Sequence, residues 1–243
     1  MSPFRRYLPI LTLAFAIAGF YLYKLNGVGV LGPDEPRYVA IGRAMAHTGD
    51  WVTPRLWGSP WFEKPPLLYW MTAAGAATGL DPELSGRLPV VLLSLAFLGV
   101  MLALLRREFG TTAAAISVAL LATSAGWITY SGLGLTDLPL AVCFSLAVFL
   151  ALPLINAPGA TQRGALRFTA IGVCLGLAML AKGLVPLALA LPAVWFLRRH
   201  WKYWWLPVLS CIVVAGPWYV AMYLRHGAPF LEELFIKQHF ARL

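Results

Sequence analysis

Eight charged residues share positions 26–66 of a chain that is otherwise mostly apolar. They are the acids Asp34, Glu35, Asp50 and Glu63 and the bases Arg37, Arg43, Arg55 and Lys64. Ionisable side chains are costly to keep in or beside lipid, so an apolar chain that collects them in one loop has its chemistry there. Asp34 and Glu35 are adjacent, and a carboxylate at a membrane surface suits a general base or a metal ligand. The plainer alternative is a helix N-cap. Glu63-Lys64 stands directly before Pro65-Pro66, two residues that stiffen the chain. A lysine held there suits a phosphate, and the alternative is a lysine that only snorkels to the headgroups.

Two charges lie further along. Asp137 sits in GLGLTDLPL between long uncharged runs. It reads as an acid on the same face as Asp34, or as the cap of the next helix with Pro139 in its first turn. Lys182 interrupts residues 168–197, which carry no other charge, and an ionisable residue in that setting is a functional candidate. His239 and Arg242 follow near residue 243. Carboxylates, cations and one histidine on one face form a site for an anionic amphiphile, its phosphate held by Lys and Arg.

The elements that carry these residues follow from composition. The 243 residues are 60% hydrophobic and 12% charged, against about 25% charged in soluble domains. Seven stretches lack Asp, Glu, Lys and Arg over nearly a bilayer's depth: 7–23, 88–105, 111–131, 138–155, 168–181, 183–197 and 203–224. The expected fold is an all-α polytopic membrane helix bundle of about seven transmembrane helices. Cys143, Cys174 and Cys211 all fall within these stretches and read as small core residues. The net charge of +9 does not indicate nucleic acid, because the bases cluster at helix ends, where membrane lipids and orientation account for them.

Orientation follows from those clusters. Arg5 and Arg6 precede the first apolar run, which has no small-residue cleavage site and reads as a retained helix with a cytoplasmic N-terminus. Residues 67–80 are apolar but too short to span comfortably. If they do not span, Arg106-Arg107, Arg163 with Arg167, and Arg198-Arg199 with Lys202 all face the cytoplasm, as the positive-inside rule prefers. They are therefore expected to form an interfacial or re-entrant helix. Residues 26–87 become a first outer loop, and the turn at 132–137, Lys182 and the tail from Arg225 share its side. Within that loop, 36–48 predicts an amphipathic helix, with Pro36 in first position, Tyr38, Ile41 and Met45 on its apolar face and Gly49 as C-cap. Trp51, Trp57, Trp61 and Trp70 suit headgroup depth.

At GPDEPRY, GDW and FEKPPLLYW, in that order and spacing, the chain resembles polyprenyl-phosphate-sugar-dependent integral membrane glycosyltransferases. This GT-C-type group includes lipid A aminoarabinose transferase and protein O-mannosyltransferases. The LTDLPL turn, the LAKGLVP hairpin, a GPWY span and an H-x-x-R tail extend the match over nearly the whole chain. The resemblance implies an inverting transferase that takes a sugar from a polyprenyl-phosphate donor and delivers it to a lipid (lipid A-like) or protein acceptor. It implies a bacterial inner membrane location and a site facing the periplasm. By resemblance, Asp34 takes the place of the family's first-loop acid and Asp137 that of its second; with Glu35, the acid adjacent to Asp34, they are the candidate catalytic residues. Arg37, Lys64 and Lys182 match cations beside the lipid phosphate, and Glu63 and His239 match positions offered to a divalent metal. Family members are longer, so residues 1–243 read as one transmembrane domain, an N-terminal portion without the remainder of the family fold. The alternatives are a transporter or flippase of an anionic amphiphile, and an inactive truncated subunit.

Overall fold

The computed structural model describes residues 12, 15–23, 25–156 and 162–240, the side chains of 156, 162–163 and 238–240 excepted. A helical segment, α1 (15–22), precedes the loop. Then come α2 (Asp34–Thr48), a small antiparallel hairpin of β1 (Arg55–Leu56) and β2 (Ser59–Pro60), and α3 (Leu67–Ala77). The remaining elements are α4 (Pro82–Phe109), α5 (Thr111–Ala122), α6 (Ala125–Ser131), α7 (Asp137–Asn156), α8 (Gln162–Lys182), α9 (Val185–Leu197), α10 (Trp205–His226) and α11 (Ala228–Leu231). A 3-10 turn, Arg198–Tyr203, joins α9 to α10, and a π-helical turn, Glu232–Phe240, follows α11.

Among the described residues, helices α4, α7, α8 and α10 are long and apolar enough to cross a membrane, and α5 with α6 makes a fifth crossing if that bent pair is one span. This is fewer than the seven uncharged stretches, for local reasons. Residues 7–23 lie partly outside the described residues. Residues 111–131 break by 64°, because the Thr123 hydroxyl turns back to the Ala119 carbonyl while Ser124 starts a new helix by accepting from the Trp127 N–H. Residues 183–197 give a helix of only 13 residues. Conversely, α4 starts earlier than the charge pattern suggests. Asp81 caps it by accepting from the Leu84 N–H at 2.8 Å, Pro82 fills the first turn, and Arg87 is carried inside.

Helix α2 starts at Asp34, two residues before the expected Pro36. Its N-cap is Pro33, with no side-chain cap, so neither Asp34 nor Glu35 serves as one. Its end is as expected: Gly49 takes φ 72° and donates to the Met45 carbonyl. Tyr38, Ile41 and Met45 are buried, and Gly42 lets α2 pack onto Thr72 of α3. With 11 residues α3 is about 16 Å long, roughly half a hydrocarbon core. Leu67 at its start packs beside Leu180 and Trp218, and Gly75 near its end packs on the Ser85 backbone.

Side-chain bonds show which helix ends lie together. Arg87 in α4, Asp137 of α7, Lys182 of α8 and Arg225 of α10 all meet residues of the 25–66 loop, the 132–137 turn or one another. At the opposite end, His200 bonds the Leu154 carbonyl of α7 at 2.8 Å.

Candidate active site

The charged end is organised by a buried ion pair. Glu35 is fully buried, and its carboxylate meets the Arg87 guanidinium through both oxygens, at 2.8 and 2.7 Å. The same carboxylate accepts from the Gly134 N–H at 2.8 Å and the Leu31 N–H at 2.6 Å. Arg87 spends its other N–H groups on the carbonyls of Leu25, Val28 and Gly29. Burial pushes the Glu35 carboxyl up, but the bonds from Arg87, Gly134 and Leu31 outweigh that, and it stays below the usual carboxylate range. Glu35 therefore ties the start of α2 to α4, to loop 25–31 and to the turn that delivers Asp137. Unlike its neighbour, the Glu35 carboxylate has no exposed surface, and both its oxygens are taken up by Arg87, Gly134 and Leu31.

The next residue faces the other way. The Asp34 side chain is 46% exposed and pairs with Arg37 one turn on, while Arg37 also donates to the Pro33 carbonyl at 2.9 Å and to Glu63 at 3.2 Å. Arg37 lies 5.8 Å from the Trp61 ring centroid. The second Glu63 oxygen is 3.6 Å from Lys64 Nζ, and those two side chains are only 9% and 16% exposed. Asp137, 47% exposed, holds Lys182 Nζ at 2.6 Å. Three carboxylates and three cations thus form two ion-paired groups at one end of the bundle, and the more open carboxylates among them are Asp34 and Asp137.

Two tyrosines floor this cluster. Tyr38 and Tyr69 are buried with ring centroids 5.8 Å apart. Burial, and then the Asp34 and Glu63 charges, push the Tyr38 phenol far above its ordinary value, so it stays protonated. Burial, and then Tyr38 and Glu63, raise Tyr69 likewise, and its hydroxyl has no hydrogen-bond partner among the described residues. From Asp137 an apolar groove of about 470 Å³ runs between α6, α7 and α9, past Trp127, Tyr130, Leu140, Phe144 and Leu189.

The loop between α2 and Glu63 is pinned from α10. Asp50 accepts from Arg225 at 2.8 Å, and Thr53 bonds His226 at 3.0 Å. Burial raises the Asp50 carboxyl, and the N–H groups of Thr53 and Val52, with Arg225, outweigh it and lower it. The Trp218 indole donates to the Val52 carbonyl at 2.9 Å, and Phe62 packs on Phe230.

Of the sequence candidates, Asp34, Arg37, Glu63 and Lys64 form one cluster, and Asp137 with Lys182 forms a second pair. The side chains of His239 and Arg242 lie outside the described residues. Among the described residues no three of His, Cys, Asp and Glu gather as metal ligands, and the Glu63 oxygens face Arg37 and Lys64, which suits a third cation poorly. Sequence reasoning missed the role of Arg87 and the grip of Arg225 on the loop. For Arg87 a signal existed: an arginine at the edge of a long uncharged run needs a buried carboxylate partner.

Fold and site together define an integral membrane protein, a helical bundle with open carboxylates and paired cations at one end beside an apolar groove. The chain belongs to the dolichyl-phosphate-mannose-protein mannosyltransferase family, whose pattern it matches over residues 7–230. It is 33% identical over 244 residues to the undecaprenyl phosphate-alpha-4-amino-4-deoxy-L-arabinose arabinosyl transferase of Pseudomonas aeruginosa, covering 96% of this chain and 43% of that protein. The transferase of that name from Edwardsiella ictaluri is 28% identical, with 95% and 43% covered. The crystal structure of ArnT from Cupriavidus metallidurans bound to undecaprenyl phosphate superposes with a TM-score of 0.84 at 31% identity, over 96% of this chain and 44% of that one. The chain thus spans less than half the length of the relatives it matches.

Proposed function

We propose that this chain carries the catalytic carboxylates and the carrier-phosphate site of a glycosyltransferase that moves a sugar from a polyprenyl phosphate to an acceptor. The convergence of Asp34 and Asp137 with Arg37, Lys64 and Lys182, next to an apolar groove opening at Asp137, carries the reading. Cations at this density suit a phosphodiester, and the groove suits a prenyl chain. The names of the arabinosyl transferase relatives and the undecaprenyl phosphate in the ArnT crystal support a prenyl carrier, and the acceptor in this reading is a lipid (lipid A-like) or a protein.

In the proposed reaction an acceptor oxygen attacks the sugar carbon that bears the phosphate. The carbon–oxygen bond to the phosphate breaks, and configuration inverts. Asp34 orients the acceptor hydroxyl and takes its proton. Lys64, Arg37 and Lys182 stabilise the charge that grows on the leaving phosphate. For Lys182 this requires partial release from Asp137, which is then free to hold the sugar or the acceptor. The Glu35–Arg87 pair keeps both open carboxylates in register. No step runs through a metal, since Glu63 is engaged by Arg37 and Lys64; the alternative of a divalent ion at Glu63 and His239 is tested by whether chelation followed by metal return changes turnover.

In this reading the site faces the periplasm from the bacterial inner membrane and the N-terminus is cytoplasmic, as the clustering of Arg106-Arg107 and Arg198-Arg199 at the other end favours. The deciding experiment uses the whole protein in liposomes and follows sugar release from a labelled polyprenyl-phosphate sugar with and without lipid acceptor. Acceptor-dependent release that Asp34→Asn and Asp137→Asn each abolish, in folded and inserted protein, is expected. Passage of the intact donor across the bilayer without sugar release would instead make the protein a transporter.

A further inference from the structure

The end of the bundle opposite the charged cluster has its own construction. Helix α9 stops at Leu197, and the 3-10 turn Arg198–Tyr203 swings the chain into α10. His200 anchors this turn: it is buried, bonds the Leu154 carbonyl at 2.8 Å and packs 5.8 Å from Phe168, whose ring stacks on Tyr203. The Trp204 indole donates to the Leu197 carbonyl at 3.1 Å. With its inner side fixed, the turn presents Arg198, Arg199 and Lys202 outward, interleaved with exposed Trp195, Phe196, Trp201 and Trp205. The Arg198 guanidinium carbon lies over the Trp195 ring, 3.9 Å from its centroid, a cation–π contact that ties this charge to the aromatic surface. None of the three cations is in a salt bridge among the described residues, and no acid occurs between Asp137 and Glu232.

We infer that the 195–205 segment is a binding site for an anionic phospholipid headgroup. Three unneutralised cations on a fixed turn demand an anion. Four aromatic side chains around them demand the interfacial layer, where indoles are most stable. A free anion in water would satisfy the first requirement and leave the aromatic surface wet. A phosphatidylglycerol headgroup satisfies both: its phosphate meets the arginine edges, and its acyl chains lie along Trp195 and Trp205.

The test measures lipid retention by the complete protein, purified in non-ionic detergent, using native mass spectrometry and thermal unfolding. Phosphatidylglycerol, phosphatidylcholine and inorganic phosphate are the three probes. Each juxtamembrane cation strengthens binding to an anionic surface about fivefold. The triple variant Arg198→Gln, Arg199→Gln, Lys202→Gln should therefore lose phosphatidylglycerol affinity by roughly 100-fold. Wild type should gain melting temperature from phosphatidylglycerol and not from phosphatidylcholine or phosphate. Trp195→Leu, with all charges intact, should weaken retention several-fold, which covers the case of a triple variant that does not fold. Arg106→Gln with Arg107→Gln removes cations from the end of another helix and should change little. Equal retention by wild type and triple variant, an equal response to phosphate alone, or an equal loss in the Arg106/Arg107 variant would overturn the assignment.

Discussion

At the scale of single residues, neighbours in sequence have opposite duties. Asp34 is open and Glu35 is sealed, because a helix turns successive side chains by about 100°. Replacing Glu35 by Gln leaves Arg87 charged and buried, which should destabilise the protein by about 3–5 kcal/mol; chemical denaturation in detergent would measure it. The pH dependence has a definite sign. A carboxyl held below its unfolded-state value contributes stability that is complete above that value and is lost as pH falls through the folded one. Melting temperature should therefore drop on acidification below the usual carboxylate range, and Glu35→Gln should flatten that drop. Lys64 is tested by binding. A charged hydrogen bond to phosphate contributes about 1.5–3 kcal/mol, so Lys64→Ala should weaken polyprenyl-phosphate affinity roughly 10–150-fold. Lys64→Arg should keep part of it. Equal affinity in all three proteins would move the phosphate site to Arg37 and Lys182.

At the scale of elements, the packing of α8 on α10 holds Lys182 in place. Gly172 and Gly176 lie one turn apart on α8 and let the helices approach closely. A Cβ at Gly172 would overlap the Ser210 hydroxyl and the Pro207 carbonyl, and one at Gly176 would come within 2.8 Å of Val214 and 3.0 Å of the Cys211 carbonyl. Backbone cannot yield as a flexible side chain can, so Gly172→Ala should cost about 1–3 kcal/mol. It should also disturb the Asp137–Lys182 pair, some 15 Å further along the helix by its rise per residue. The expected signature is a lower melting temperature together with weaker donor binding. Gly216 has only the Ile212 side chain near, at 3.5 Å, and Gly216→Ala should leave both unchanged.

At the scale of the whole molecule, the ends of the bundle differ in charge logic: acids and bases pair at one end, and unneutralised bases meet aromatic rings at the other. Trp57 in the hairpin and Trp201 are both highly exposed, and the proposed orientation, with the charged end outside, predicts that they lie on opposite sides of the membrane. In a background without Cys143, Cys174 and Cys211, Trp57→Cys should react with an impermeant thiol reagent in intact cells. Trp201→Cys should react only after the cells are opened. The reverse pattern would invert the orientation.

Much of this architecture was legible in the chain itself. Hydropathy depends on composition alone, so the long apolar helices and the shortness of 67–80 were visible. So was the gathering of charge in 26–66, because unpaired charge is excluded from lipid wherever the chain folds. Gly49 ended α2 as predicted, since a helix terminus that needs positive φ is a local matter. The tertiary structure decided what depends on residues far apart. Glu35 bonds to Arg87, 52 positions on, and to Gly134, 99 positions on, and only this pairing separates a buried clamp from an exposed acid. Likewise Lys182 finds Asp137 across 45 residues, and Arg225 grips Asp50 across 175. Local sequence sets each side chain's chemistry, whereas the packing of helices decides which charges are desolvated together and which remain open to a substrate.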